Sequence, residues 1–227
     1  MRAMNRLAQL YKSKGMEEEY IRALTTAVEL YAGDTGVTYE LLNELIGRIN
    51  DGRYDVSNLE EMLRGMGIDP ATLSADNLPE SDRARQGAIR YLEAKEDLEA
   101  LYNECYRILS SACGQIPYNA DLYYRTAHLQ FLRAEEDGDR DKYKDAINFL
   151  KRAIASDSSH LESYHLLALA YERLDDSDRA VRFWRLFEVV YEIAPETMGE
   201  TFITPERERM HMEALEHLEA LGATADE

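Results

Sequence analysis

With 227 residues the chain has room for one large or two ordinary domains, and its 44 acidic against 26 basic side chains give a formal charge of −18. That balance argues against nonspecific binding to nucleic acid or anionic lipid, which needs a basic stripe to neutralise phosphates, and favours solubility or basic partners. A composition 45% apolar and 31% charged fits a folded, all-α chain rather than a disordered one, and no stretch reaches the ~18 apolar residues of a membrane span.

The chain opens on a small basic cluster, Arg2, Arg6, Lys12 and Lys14, followed at once by Glu17-Glu18-Glu19. No basic-then-apolar leader is visible, so a cytoplasmic location is the default expectation. Met4, Leu7, Ala8 and Tyr11 share one helical face, Lys14-Gly15 breaks the helix, and Tyr20, Leu24 and Ala27 form a second stripe. Residues 32–36 (AGDTG) read as a turn. A helix over 38–50 follows, on Tyr39, Leu42, Leu45, Ile46 and Ile49, and Asn50-Asp51-Gly52 is expected to end it. Ser57 with Glu60 reads as a capping box opening a short helix to Gly65. Residues 65–80 are dense in Gly, Pro, Asp and Ser, with Pro70 placed to start one short turn of helix.

From about 81 to 112 only Gly87 interrupts a three-and-four recurrence running from Ala84 through Tyr91, Leu98 and Cys105 to Ala112. The pattern fits one fused helix of roughly 45 Å or a front helix broken near Asp97. Cys105 and Cys113 lie eight apart on it, ~12 Å, too far for a disulfide with each other.

The clearest pattern lies in 120–195. Tyr164, Leu167, Ala168 and Tyr171 fall on one stripe; after the turn LDDSD, Ala180, Trp184 and Phe187 continue at +16, +20 and +23 from Tyr164. The segment before it keeps Tyr123, Ala127, Ala146, Leu150 and Ala153, but with 23 residues from Tyr123 to Ala146 it carries seven extra. The order aromatic, Leu, small, Tyr, turn, small, aromatic resembles the tetratricopeptide repeat. The 1–31 stripes match the 161–195 spacing, with Tyr20 in place of the small residue, where a bulky group overpacks a helix crossing at a cost of ~1–3 kcal/mol. Cys105, Leu109, Ala112 and Pro117 have the spacing of a back helix. Thr204-Pro205 starts a last helix, with Met210, Ala214, Leu218 and Leu221 on its apolar side and glutamates opposite, as a capping helix needs.

The resemblance implies a right-handed helix-hairpin solenoid with a C-terminal capping helix. N-terminal repeat-like helices are expected over 1–50, an irregular connection over 51–80, a repeat array with its cap over 81–222, and a tail over 223–227.

Little in the chain points to chemistry. Asp137, Asp139 and Asp141 alternate as a calcium loop begins, but Lys142 and Asn148 stand where that loop needs Gly and Glu, so an acidic surface loop is the better reading. His128, His160, His165, His211 and His217 include no i,i+4 zinc pair, although His128 and His165 could approach across neighbouring front helices. No nucleophile elbow, P-loop or dinucleotide fingerprint appears. No catalytic residue, metal or cofactor is therefore expected.

The resemblance also implies where function sits, because the family's front helices line a concave groove. Carried onto this sequence, that groove presents Tyr124, His128, Phe131 and Leu132 from one unit, and His165, Leu169, Glu172 and Arg173 from the next. Asn5, Gln9 and Lys12 would face it from the first. Aromatic groups beside histidine and arginine suit a peptide or protein partner, although Phe131 and Leu132 could equally pack inward. The Lys and Asn that grip chaperone C-terminal carboxylates in this family are absent from the matching places of the 120–160 and 161–195 units, which hold Tyr124, His128, His165 and Leu169. The expectation is a non-catalytic scaffold or adaptor of the kind found in bacterial motility, secretion and envelope machines. The alternative is a structural protein that self-associates through its helical ends.

Overall fold

Among the described residues, several helix ends are set by a short polar or glycine signal. The computed structural model describes residues 2–30 and 34–223, an all-α arrangement. The helices are α1 (Arg2–Ser13), α2 (Glu17–Leu30), α3 (Thr35–Gly65), α4 (Asp82–Gln115), α5 (Ala120–Asp137), α6 (Arg140–Ser156), α7 (Leu161–Arg173), α8 (Ser177–Met198) and α9 (Pro205–Ala220). Short 3-10 turns lie at Pro70–Thr72 and Glu200–Phe202. Asp34, Asn119, Asp139, Asp176 and Thr204 each accept a backbone N–H from the helix that follows, satisfying one of its orphan donors. Gly15 and Gly138 supply the left-handed backbone that ends α1 and α5. Ala32 and Gly33 of the first expected turn, the Asn5 side chain and the tail residues 224–227 lie outside the described residues.

The chain divides into two compact units, Met1–Gln115 and Ile116–Glu227. In the first, α1–α2 and α3–α4 are hairpins. Contacts advance along α3 as they retreat along α4, from Gly52 at Leu98 to Met62 at Gly87, so the two long helices run antiparallel. The break expected at Asn50-Asp51-Gly52 is absent, and α3 is continuous for 31 residues. Packing explains this, since a Cβ at Gly52 would meet Leu98 Cδ1 at 3.3 Å, and the close approach offsets the ~1 kcal/mol that glycine costs a helix. Glu60, read as half of a capping box, instead accepts the Tyr91 hydroxyl at 3.0 Å across the hairpin. The segment after α3 contributes Ile68, Leu73 and Leu78, packed on Leu63, Ala88 and Tyr91. Pro70 does open a single helical turn. Of the two readings of 81–112 the continuous one holds: α4 runs 34 residues. Cys105 and Cys113 are buried free thiols on it.

In the second unit, α5–α6 and α7–α8 form two stacked hairpins and α9 covers the last. One core joins Ala127, Phe131, Tyr143, Ala146, Leu150, Leu167 and Tyr171. A second joins Tyr164, Ala168, Trp184 and Phe187 to Ala214 and Leu218 of α9, the capping role expected of that helix. The seven extra residues make no acidic loop. They lengthen the facing ends of α5 and α6, which meet at a two-residue turn, Gly138-Asp139. The reason is local: Tyr143 packs edge-on against Phe131 at 5.3 Å and donates its hydroxyl to Glu135 at 2.6 Å. Asp137 pairs with Lys142, Asp139 caps α6, and Asp141 pairs with Lys144 at 2.7 Å. Arg140 reaches the next hairpin's turn, donating to Asp175 and to the Leu174 carbonyl.

Candidate functional site

The front helix of a hairpin has a packing stripe, and flanking it are the positions that the sequence nominates for binding. In the first unit those positions are tied to the next front helix. Gln9 donates to Glu40 at 2.9 Å and Lys12 to Glu44 at 2.9 Å. Tyr20, expected to overpack, instead passes its ring through the crossing and donates its hydroxyl to Glu40 at 2.7 Å. Burial, with the neighbouring Glu40, pushes that phenol up to about 12. Bonds to Tyr20 and Glu44 raise the Lys12 ammonium above its usual range.

In the second unit the eight nominated residues differ in burial and in partners, and Leu132 is half-buried. Phe131 is a core residue, 7% exposed, held by Tyr143. His165 is also 7% exposed: its ring stands edge-on to Trp184 at 5.0 Å and to Phe187 at 5.8 Å, and its Nε2 lies 3.1 Å from Glu213 of α9. Burial lowers its pKa against the pull of Glu213, so the ring is neutral and its Nε2–H donates to the carboxylate. His165 therefore fastens α9 rather than pairing with His128. Arg173 donates to Glu135 at 2.6 Å, an inter-hairpin ion pair. Glu172 uses both oxygens, accepting from Trp184 Nε1 at 2.5 Å and facing His217 Nδ1 at 2.9 Å.

Arg173 is exposed, whereas Tyr124, His128 and Leu169 are half-buried. Tyr124 and His128, one helical turn apart on α5, stack with ring centroids 5.9 Å apart and 3° between planes. His160 closes on the other side of Tyr124 at 5.3 Å. Burial, together with Glu162 and Glu206, raises the Tyr124 phenol well above its ordinary value, so it stays a neutral donor. Leu169 on α7 is half-buried beside both cores. A charged pair flanks them: Arg207 donates to Glu162 at 2.8 Å while its guanidinium lies 4.1 Å over the Phe202 ring. This face offers an apolar and aromatic strip with an ionic edge, and among the described residues no three His, Cys, Asp or Glu side chains come together to hold a metal ion.

The contribution of α9 is what the sequence reading missed. Glu213, His217 and Arg207 complete the face, and a fourth pair, His211 with Glu188 at 2.9 Å, anchors the helix on α8. Its signal was present as histidines at 211 and 217, set on the edge between the apolar and Glu-rich sides.

Comparison with known proteins bears on the fold. A sequence model described as the tetratricopeptide repeat matches residues 2–34 and 161–184. These two segments are tetratricopeptide repeats. A crystal structure of MamA protein aligns with a TM-score of 0.50 at 15% identity, over 99% of this chain and 94% of that one. A second MamA crystal structure gives 0.48 at 16%, over 96% and 98%. The TPR2AB domain of yeast Sti1, in a complex with pHSP90, gives 0.38 at 12%, over 94% and 97%. A search of curated proteins finds no match. The matched tetratricopeptide segments are α1–α2 and the hairpin carrying Trp184. The α5–α6 hairpin, with its lengthened ends, falls outside both.

Proposed function

We propose that this chain is a non-catalytic scaffold which holds a peptide or a helix of a partner protein against the front helices of its second unit, as one part of a multiprotein assembly. The observation that carries the reading is the surface strip of Tyr124, His128 and Leu169 with the Glu162–Arg207 pair at its edge. Stacked aromatic rings present large area at low entropic cost, and the adjacent charges orient a polar backbone or side chain. Tyr124, His128, His165 and Leu169 provide no cationic clamp, so a chaperone C-terminal carboxylate is not the favoured ligand. Among the described residues no helix is long and apolar enough to cross a membrane.

The test uses peptides selected on the full-length chain by phage display, with affinity read by fluorescence anisotropy. Tyr124→Ala combined with Leu169→Ala is expected to weaken binding at least about tenfold, the loss typical of removing hot-spot anchors; both side chains are half-buried against the core, so affinity is compared well below the variant's own lowered melting temperature. Undiminished affinity would place the site elsewhere. His165→Ala and Phe131→Ala are unsuitable probes, because both side chains hold the core.

A further inference from the structure

The α1–α2 hairpin has a trough that no described residue fills. Met4, Leu7 and Tyr11 of α1 line it with Glu19, Arg22, Ala23 and Thr26 of α2, enclosing about 200 Å³. Leu7 is 36% exposed at its centre. The second unit shows what belongs in such a trough. Leu167 and Tyr171, which match Leu7 and Tyr11 in repeat register, are buried under the preceding hairpin, where α6 inserts Ile147 and Leu150. The occupant that fits is thus a helix carrying two large apolar side chains three residues apart.

The outward face of α9 has that pattern. Met212 is 58% and Leu215 39% exposed, three residues apart, and Glu208, Arg209, Glu216 and Glu219 surround them in solvent. Charge chooses the orientation. In a chain of net charge −18, α1 has three bases and no acid, and Lys14 follows it. The sequence of α9 has five glutamates against two arginines. Arg22 lines the trough and Lys14 follows α1, both exposed and opposite in sign to Glu208, Glu216 and Glu219, while Arg209 can answer Glu19.

We propose that the α1–α2 trough binds the outer face of α9 from a second copy of this chain, continuing the helical stack from one molecule to the next. The contact is head-to-tail, so each molecule keeps one free trough and one free α9, and association is open-ended unless rotation closes it into a ring. This goes beyond the scaffold reading and uses none of its residues.

Sedimentation velocity of the full chain tests it. The weight-average mass should rise past that of a dimer between about 1 and 300 µM at 50 mM salt. At 500 mM salt it should fall towards monomer, because exposed ion pairs are screened over a shorter Debye length. Leu7→Asp destroys one end and Leu215→Asp the other, so each variant alone should be monomeric. An equimolar mixture should form a heterodimer and nothing larger. Lys14→Glu with Arg22→Glu, both exposed, repeats the first arm without touching the apolar contact. A monomeric parent chain at 300 µM, a single variant that associates like the parent, or a mixture that stays monomeric would each overturn the proposal.

Discussion

Ala168 sits where three helices meet. It is fully buried on α7 among Tyr164, Trp184 and Phe187, with Ala214 and Leu218 of α9 in the same cluster. Ala168→Leu adds three carbon atoms to a site with no solvent-facing side, and overpacking of this kind typically costs ~1–3 kcal/mol. Trp184 is the chain's single tryptophan and is itself fully buried in that cluster, so its fluorescence reports unfolding of the second unit alone. A unit of roughly 110 residues has an m-value of about 1–1.5 kcal/mol/M in urea, so the Trp184 midpoint should fall by about 1–2 M. Ala155→Leu, on the exposed side of α6, is the control and should stay within about 0.5 kcal/mol. A midpoint for Ala168→Leu within ~0.3 M of the parent would mean that Ala168 is not at the crossing and that the repeat register is wrong.

The long hairpin makes a contrasting prediction at Gly87. A Cβ there would come within 2.8 Å of Met62 Cε, the free end of a flexible side chain that is 37% exposed, and 3.6 Å from Leu63 Cδ2. Met62 can swing away, so the ~1 kcal/mol gain in helix propensity should leave Gly87→Ala neutral or slightly stabilised in a circular dichroism melt, whereas Gly87→Val should lose ~1–3 kcal/mol. Trp184→Phe removes the indole donor from Glu172 and leaves a small void, and a thermal melt should show a loss of ~2–4 kcal/mol; a loss under ~1 kcal/mol would mean that this bond is not formed. Burial lowers the pKa of His165 below the ordinary histidine value of 6.5, so the unfolded chain takes up its proton first; the stability it contributes is full above pH 6.5 and lost as pH falls below it. Glu188, raised above 4.5 by burial, works in the opposite sense, its contribution full below 4.5 and lost as pH rises. The Trp184 urea midpoint should therefore drop between pH 7.5 and 5.5, and His165→Phe should flatten that drop; equal slopes for parent and variant would exclude His165 as its source.

The hairpins were legible wherever small residues recur at a crossing. Ala8, Ala127, Ala146, Ala168 and Ala180 are all fully or almost fully buried, and they mark the crossings in the sequence without knowledge of the neighbours. Where the reading of local structure failed, a distant contact had overruled a local signal. Asn50-Asp51-Gly52 looks like a helix end until Leu98 is seen packing on Gly52. The run from Glu135 to Asp145 looks like a solvated loop until Tyr143 is placed against Phe131. The binding face was less legible than the fold for a related reason. Side-chain direction on a helix is known to within a stripe, but Phe131 and His165 lie on the margin of theirs, and only the positions of α6 and α9 decide that both turn inward.

The polar residues flanking the packing stripes follow a rule of their own. Gln9 and Lys12 of α1 bond to Glu40 and Glu44 of α3; Glu135 of α5 bonds to Arg173 of α7; Glu162, His165 and Glu172 of α7 bond to Arg207, Glu213 and His217 of α9. Within each unit, successive front helices are thus laced partly by side chains that the repeat pattern nominates for ligand binding, Gln9, Lys12, His165, Glu172 and Arg173. A ligand drawing on those charges would have to break an existing ion pair, so they contribute alignment of the front helices more than affinity for a partner. The Tyr124 ring and Leu169 contribute differently, because aromatic and apolar area is recognised by burial and not by exchange of an ion pair. Recognition on this face should then depend on burying that strip, with heat-capacity loss on binding and weak salt dependence. Self-association through α1 and α9 also buries apolar side chains but should differ in its strong salt dependence, and the two activities can be separated in one titration series across ionic strength.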